Sequence, residues 1–235
     1  VTQLLLNAGK EYVCLMHIHK TVDNAKLREV FTRFIGKIQQ LPPIRSSVKR
    51  KLRMRNIYYI HILEIENRDV LFRVGCQAGT YIRKLCHDIG VELGTGAHMS
   101  ELVRTKAGPF NDKEMFTLQD IVDAYYYYKE EQNEKFIRKV VRPAEVAFQH
   151  IPKVYVFDTT VESICHGADL AVPGISRLDS DIKPGDHVAI FTLKGEVVGL
   201  GTSKMSSEQM LGKRGIAVRT ERVFMLPGTY PKIKK

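Results

Sequence analysis

The sequence has no apolar run long enough to span a membrane and no signal-peptide pattern at its start, so neither a membrane span nor a secreted precursor is read from it. It has only four cysteines, Cys14, Cys76, Cys86 and Cys165, and none falls in a C-x-x-C pair. No Cys/His cluster has zinc spacing, which removes a zinc finger and a disulfide framework from the readings. The thiols read as isolated buried side chains in a reducing, cytoplasmic setting. His17, His19, His61, His87, His98, His150, His166 and His187 are scattered along the chain. Each reads as structural or as a phosphate contact, so no metal and no cofactor is expected. Internal repeats and low-complexity tracts are also lacking. Acidic residues are in short supply: 26 Asp and Glu stand against 36 Lys and Arg, a formal net charge of +10. That surplus suits a polyanionic partner, because each phosphate contact releases counterions. A basic chain with no such partner has the same composition.

At 235 residues there is room for one large domain or two smaller ones with a core. Residues 11–18 read as a strand carrying Tyr12, Val13, Leu15 and Ile18. Asp23 or Asn24 can cap a helix with Leu27, Val30, Phe31, Phe34 and Ile35 on its apolar face. Gly36 and the Pro42-Pro43 pair end that element and begin a loop, which leads into a basic segment from Arg45 to Arg55. Two β-rich runs, 57–65 and 70–76, flank an Asn67-Arg68-Asp69 turn. Thr80 can cap a helix burying Ile82, Leu85, Ile89 and Leu93, closed by Gly94 and Gly96. Later, Thr117-Leu118-Gln119-Asp120 has the form of a capping box. The tyrosine run 125–128 then reads as part of a core stripe with hydroxyls at the surface, or alternatively as a base-stacking platform. A charged helix or linker over 129–142 leads to Pro143.

Composition shifts after Ile151-Pro152. Short β runs at 154–157, 187–193, 196–202, 215–218 and 223–226 alternate with Gly and Pro turns, and 158–166 reads as a helix. That spacing predicts a small β-barrel. The expected fold class is therefore α+β: a mixed, mostly antiparallel domain over 1–149, then a barrel over 150–235, with a frayed tail at 232–235.

The chemistry concentrates in Cys76-Gln77-Ala78-Gly79-Thr80-Tyr81-Ile82-Arg83, followed by Leu102 and by Arg104-Thr105-Lys106-Ala107-Gly108-Pro109-Phe110. Arg83 falls in the first turn of the predicted helix, next to the positive end of its dipole. A cation kept there either pairs with an acid from elsewhere or is an inert surface Arg. These segments closely resemble the later motifs of the TruB-type RNA pseudouridine synthases, and Gly9-Lys10-Glu11-Tyr12 resembles an earlier one. Gln40-Leu41-Pro42-Pro43 followed by the Ser46 to Arg55 segment is similar to the dyskerin branch, whose archaeal members work in H/ACA guide-RNA particles. The C-terminal barrel resembles a PUA domain.

The resemblance implies a catalytic subunit that isomerises uridine to pseudouridine in rRNA, with tRNA left open. It would act with guide RNA, substrate RNA and other small H/ACA proteins, and without a membrane. It gives Tyr12 a face against the flipped base, Arg83 an ion pair with the nucleophilic Asp, and Leu102 a place in the apolar wall. Lys10 and Arg104 follow as phosphate or packing residues. Lys49, Arg50 and Arg53 lie in an arm over substrate RNA. His166, Gly167, Lys204, Lys213 and Arg214 would form the barrel's RNA face. In the family the nucleophile sits in a Gly-x-x-Asp-Pro motif upstream of the Gly-Lys-Glu-Tyr segment, and no Asp-Pro dipeptide occurs here. With Val1 only a few residues before Gly9, the nucleophile is expected in a segment ahead of this one. The competing reading is a non-catalytic RNA-binding scaffold. Arg83 separates the two, because a scaffold has no need of a buried cation facing an empty carboxylate position. A stand-alone tRNA isomerase differs only in how substrate is delivered.

Overall fold

The computed structural model describes residues 2–42 and 51–231. The chain forms two compact units that divide between Leu118 and Gln119. In the first, α1 (Thr2–Asn7) precedes β1 (Lys10–Ile18), α2 (Asn24–Arg33), β2 (Gly36–Gln40), β3 (Arg53–Glu66), β4 (Asp69–Cys76), α3 (Ile82–Leu93), β5 (Ala97–Ala107) and β6 (Phe110–Asn111). The six strands form one antiparallel sheet in the order β2-β3-β4-β1-β5-β6.

The period-two pattern of β1 and β4 sends Cys14, Met16 and Ile18, with Val70, Phe72, Val74 and Cys76, to one face. Helices α2 and α3 cover that face with Leu27, Val30, Phe31, Ile82, Leu85, Cys86, Ile89 and Leu93. Asp23 is the cap of α2, its Oδ2 accepting from Ala25 N and Lys26 N at 2.9 and 3.2 Å. Asn67, in the left-handed region at φ 54°, makes the β3–β4 turn. Gly94, also left-handed, ends α3 as expected.

Several expectations change. Strands β2 and β5 replace what read as loop and motif. Ile35 is exposed, because α2 ends at Arg33 and the chain turns away before it. Thr80 does not cap α3: its hydroxyl donates back to Gln77 O at 2.7 Å, and Tyr81 takes the N-cap position without a side-chain capping bond. The basic arm is shorter at its C-terminal end, since Arg53 and Arg55 belong to β3.

The second unit opens with α4 (Leu118–Glu130), whose first residue closes the first unit, and α5 (Glu134–Val140). Strands β7 (Lys153–Val156), β8 (Leu170–Ala171), β9 (Ile175–Leu178), β10 (His187–Thr192), β11 (Val197–Ser203) and β12 (Ile216–Val223) form a sheet in the order β8-β12-β11-β10-β7-β9. The β7–β10 pair is parallel. Helices α6 (Asp158–Cys165) and α7 (Ser207–Met210) complete it. Its core holds Val154, Val156, Val161, Ile164, Leu170, Val188, Ile190, Val198 and Val218. The turn at Ala144–Phe148 belongs to this body, since Phe148 is fully buried against Phe191 and Phe224 and Glu145 accepts from Val197 N at 3.0 Å.

The 125–128 tyrosines do not form a core stripe. Only Ala124 of α4 is buried, and the four rings are each more than a third exposed. Consecutive residues step around a helix by about 100°, so a run of four cannot share one face.

On the sheet face away from α2 and α3, one carboxylate ties strands together. Glu11 Oε2 accepts from the Tyr59 hydroxyl at 2.5 Å and Oε1 from the Thr105 hydroxyl at 2.8 Å, with Arg73 Nε at 3.9 Å. Burial pushes the Glu11 carboxyl up, but the two hydroxyl donors and the charges of Arg73 and Lys106 outweigh it and hold it below the usual carboxylate range. The Tyr59 phenol is pushed up to about 12 by burial and by donating to Glu11.

Two outcomes follow from this network. A Cβ at Gly75 would lie 2.3 Å from Tyr59 Cζ, and moving that ring breaks its bond to Glu11. Gly75→Ala should therefore cost about 1–3 kcal/mol in denaturant unfolding; an unchanged midpoint would count against the network. Glu11 has a folded pKa below its unfolded one, so its stabilisation is present above the unfolded value and is lost as pH falls through the folded value. The difference in unfolding midpoint between wild type and Glu11→Gln should thus narrow on acidification, and a pH-independent difference would contradict the assignment.

Candidate active-site cleft and nucleic-acid face

The β1–β5 ladder sets Tyr12 against Arg104, with a register shift between Glu11 and Tyr12, and Cys14 against Leu102. Antiparallel pairing thus brings residues far apart in the chain into neighbouring strands. The turn after β4 and the start of α3 close the third side. Tyr12, Thr80, Tyr81, Ile82, Arg83, Met99 and Leu102 line one cleft of about 290 Å³. The three residues expected to carry the chemistry, Tyr12, Arg83 and Leu102, all border it.

Arg83 is the second residue of α3 and exposed, not buried as the sequence implied. No carboxylate lies within 4 Å of it among the described residues. The reason is local: Ile82 and Leu85 take the core-facing positions of α3, and Arg83 falls between them on the open side. Tyr12 is half-buried. Burial pushes its phenol up and Cys76 adds to this, while the charge and hydrogen bond of Arg104 oppose it. Leu102 is 38% exposed. An aromatic face, aliphatic walls and one cation can hold a planar uncharged base by stacking and an anion at the guanidinium.

Gln40, which sequence reasoning did not single out, fixes the start of α3. Its side chain is 2% exposed at the end of β2. Its Oε1 accepts from Tyr81 N at 3.0 Å and its Nε2 donates to Tyr81 O at 3.1 Å. Arg55 Nε donates to Gly79 O at 3.1 Å, and Asn56 N and O pair with the Gln77 side chain and N–H at 3.1 and 2.8 Å.

The other expected site residues separate. Lys10 is a structural residue. Its Nζ donates to Leu5 O, Leu6 O and Ala8 O at 2.8, 2.9 and 2.5 Å, using all three of its donors to close the C-terminal end of α1. Burial and the neighbouring Arg104 charge push its ammonium down. Arg104 is exposed beside Tyr12. Arg53 stands first in β3, paired with Gln40 in the β2–β3 ladder. Lys49 and Arg50 lie outside the described residues.

In the second unit, Lys204, Lys213 and Arg214 are exposed. His166 Nε2 sits 3.0 Å from Glu162 Oε1 at the end of α6, and Gly167, left-handed at φ 86°, has open space where a Cβ would stand. Lys213 borders a cavity of about 820 Å³ with Val172, Pro173, Arg177 and Met210, while His166, Gly167, Lys204 and Arg214 do not. Gly174 serves packing, since a Cβ there would lie 2.7 Å from Thr160 of α6.

Among the described residues no group of three His, Cys, Asp or Glu could hold a metal ion. No helix among them is long and apolar enough to cross a membrane.

Three family models match the chain: the tRNA pseudouridylate synthase B C-terminal domain at residues 83–149, the PUA domain at 152–224, and the C-terminal part of Pus10 at 4–110. The chain is 58% identical over 233 residues to a Methanopyrus kandleri protein named "Probable tRNA pseudouridine synthase B", covering 99% of this chain and 69% of that protein. A Pyrococcus furiosus protein of the same name is 57% identical over 235 residues, covering 99% and 69%. A crystal structure of a Cbf5-Nop10-Gar1 complex contains a chain that superimposes with TM-score 0.93 at 56% identity, over 98% of this chain and 71% of that one. A structure of an H/ACA RNP bound to a substrate RNA containing 2'-deoxyuridine gives 0.89 at 53%, over 98% and 70%. The cleft of the first unit and the PUA match in the second thus meet in one lineage: the chain belongs to the TruB-type RNA pseudouridine synthases with a C-terminal PUA domain.

Proposed function

We propose that this chain is the catalytic subunit of an H/ACA guide-RNA particle that isomerises uridine to pseudouridine in rRNA, with tRNA as a further substrate class. The observation that carries the reading is the cleft itself. Arg83, without a carboxylate partner among the described residues, shares it with the tyrosines Tyr12 and Tyr81 and the apolar side chains of Ile82, Met99 and Leu102. Extruding a uridine from folded RNA costs a few kcal/mol. Stacking on Tyr12 returns roughly 1–3 kcal/mol of that. In this reading Met99 and Leu102 keep water from the other face. Arg83 holds the nucleophilic Asp ionised and aimed. The family's Gly-x-x-Asp-Pro motif would supply that Asp, and no Asp-Pro dipeptide occurs in these 235 residues.

The superimposed structures are of complexes with Nop10 and Gar1 and of an H/ACA RNP bound to a substrate RNA, and they support placing this chain with such partners. We divide the roles near residue 150, where the matched families meet, with isomerisation before it and guide-RNA anchoring after it. On the PUA side, Lys204, Lys213 and Arg214, with His166 and Gly167, are the proposed RNA contacts. Lys49, Arg50, Arg53 and Arg104 are the proposed contacts to substrate RNA. Four buried free thiols suit a reducing cytoplasm.

In the full-length protein, Arg83→Ala should lower turnover by at least about 10²–10³-fold, as for loss of one oriented charge-stabilising donor. Turnover is read as tritium release from RNA labelled at uridine C5. RNA affinity should stay within about twofold, because the main phosphate contacts lie elsewhere. Near-normal release by this variant would favour the scaffold reading. Replacing Lys204, Lys213 and Arg214 by Ala should weaken guide-RNA binding and flatten its salt dependence by about one log–log unit per lost phosphate contact. An unchanged slope would remove these residues from the RNA face.

A further inference from the structure

We infer that Gln40 is a positioning residue for the isomerisation: it sets Arg83 by locking the backbone at the N-terminus of α3. The inference rests on the function proposed above and adds to it a residue that never touches substrate.

A helix start leaves backbone N–H groups without intrahelical partners, and a Ser, Thr, Asp or Asn side chain at the N-cap is the usual remedy. Here Tyr81 occupies that position and makes no side-chain cap, and the neighbouring Thr80 hydroxyl is engaged with Gln77 O. Gln40, from β2, instead ties down the N-cap residue itself. Its amide is used in both directions, Oε1 on Tyr81 N and Nε2 on Tyr81 O, which also accepts the first helical bond from Leu85 N at 3.0 Å. Two hydrogen bonds to one residue fix its peptide planes as well as its place.

Two features make this more than a packing contact. Gln40 is a polar side chain buried to 2% exposure, and both of its polar ends meet Tyr81. Burial without partners would be costly, so the side chain and the helix start are mutually dependent. Second, Tyr81 is two residues before Arg83, and both line the cleft with Tyr12 and Leu102. A shift of the first turn of α3 therefore moves the guanidinium relative to Tyr12. Of the α3 core contacts, Leu85, Ile89 and Leu93 hold the helix body and Ile82 seats the first turn by its side chain, while the Gln40 bonds fix the Tyr81 peptide planes that lead into it.

The test compares wild type, Gln40→Leu and Gln40→Glu in the full-length protein. In Gln40→Leu, single-turnover tritium release should slow by about 10- to 100-fold, as expected for a misplacement near 1 Å. Substrate-RNA affinity should stay within about twofold and the melting transition should remain cooperative. Hydrogen exchange at the Tyr81 amide should speed up at least tenfold, while that of Ile89 in the helix body should not. Gln40→Glu keeps an acceptor for Tyr81 N–H and, when protonated, also a donor for Tyr81 O. Its turnover relative to wild type should therefore recover as pH is lowered, measured at temperatures where its melting transition shows the variant fully folded at every pH, so that regained stability does not account for the recovery. If Gln40→Leu fails to fold, the Gln40→Glu recovery decides the matter. Unchanged Tyr81 exchange, or affinity falling in step with rate, overturns the positioning role. A Gln40→Glu variant with no acid-side recovery overturns it too. Absence of turnover in wild type would instead strike the proposed function, and Tyr81 exchange would still judge the clamp.

Discussion

Everything at the cleft depends on β1 running between β4 and β5 with its two faces put to opposite uses. Glu11 points to one side and collects hydroxyls from β3 and β5, while Tyr12, the next residue, points to the other and lines the cleft. The alternation of a strand makes this division possible. The register shift at Glu11 and Tyr12 brings Arg104 opposite the ring. A slip by one residue would put the carboxylate in the cleft and the tyrosine in the network. Gly75 is part of the same constraint, because only a residue without Cβ leaves room for the Tyr59 ring above it.

The second fixed point is the start of α3. The Glu11 network secures the sheet, and Gln40 secures the helix that must meet it. The link from β3 through Arg55 to Gly79 and from Asn56 to Gln77 holds the intervening turn. The site is therefore assembled from three separately anchored pieces, each tied by hydrogen bonds to a neighbouring strand. Its exposed Arg83 is presented by a rigid frame.

Much of this was legible in the sequence, and the gaps have physical causes. Strands β1, β3 and β4 and helices α2 and α3 were read from β-rich runs and from Leu85, Ile89 and Leu93 at helical spacing, although in β1 the core-facing residues are Cys14, Met16 and Ile18 rather than the Val13 and Leu15 that marked it as a strand. Tyr12, Arg83 and Leu102 came from motif resemblance, and spacing by itself left each with an ordinary structural reading. Strand β5 was missed because exposed Glu101, Leu102, Val103 and Arg104 give it no alternation. Thr80 has the chemistry of a cap, and nothing local shows that a glutamine on a distant strand acts instead. Lys10 read as a phosphate or packing residue, with no local sign that its donors meet the carbonyls at the end of α1. The buried Phe148 explains why the body of the PUA match extends back beyond residue 150 in the fold.

The position of the target base is the most direct test of the cleft. A substrate RNA carrying 4-thiouridine at the target position, irradiated with the full-length protein and digested, reports the side chains within contact of that base. Crosslinks should fall on the peptides of β1 and β5 that hold Tyr12 and Leu102. Crosslinks confined to residues after 151, with none in those two strands, would contradict it.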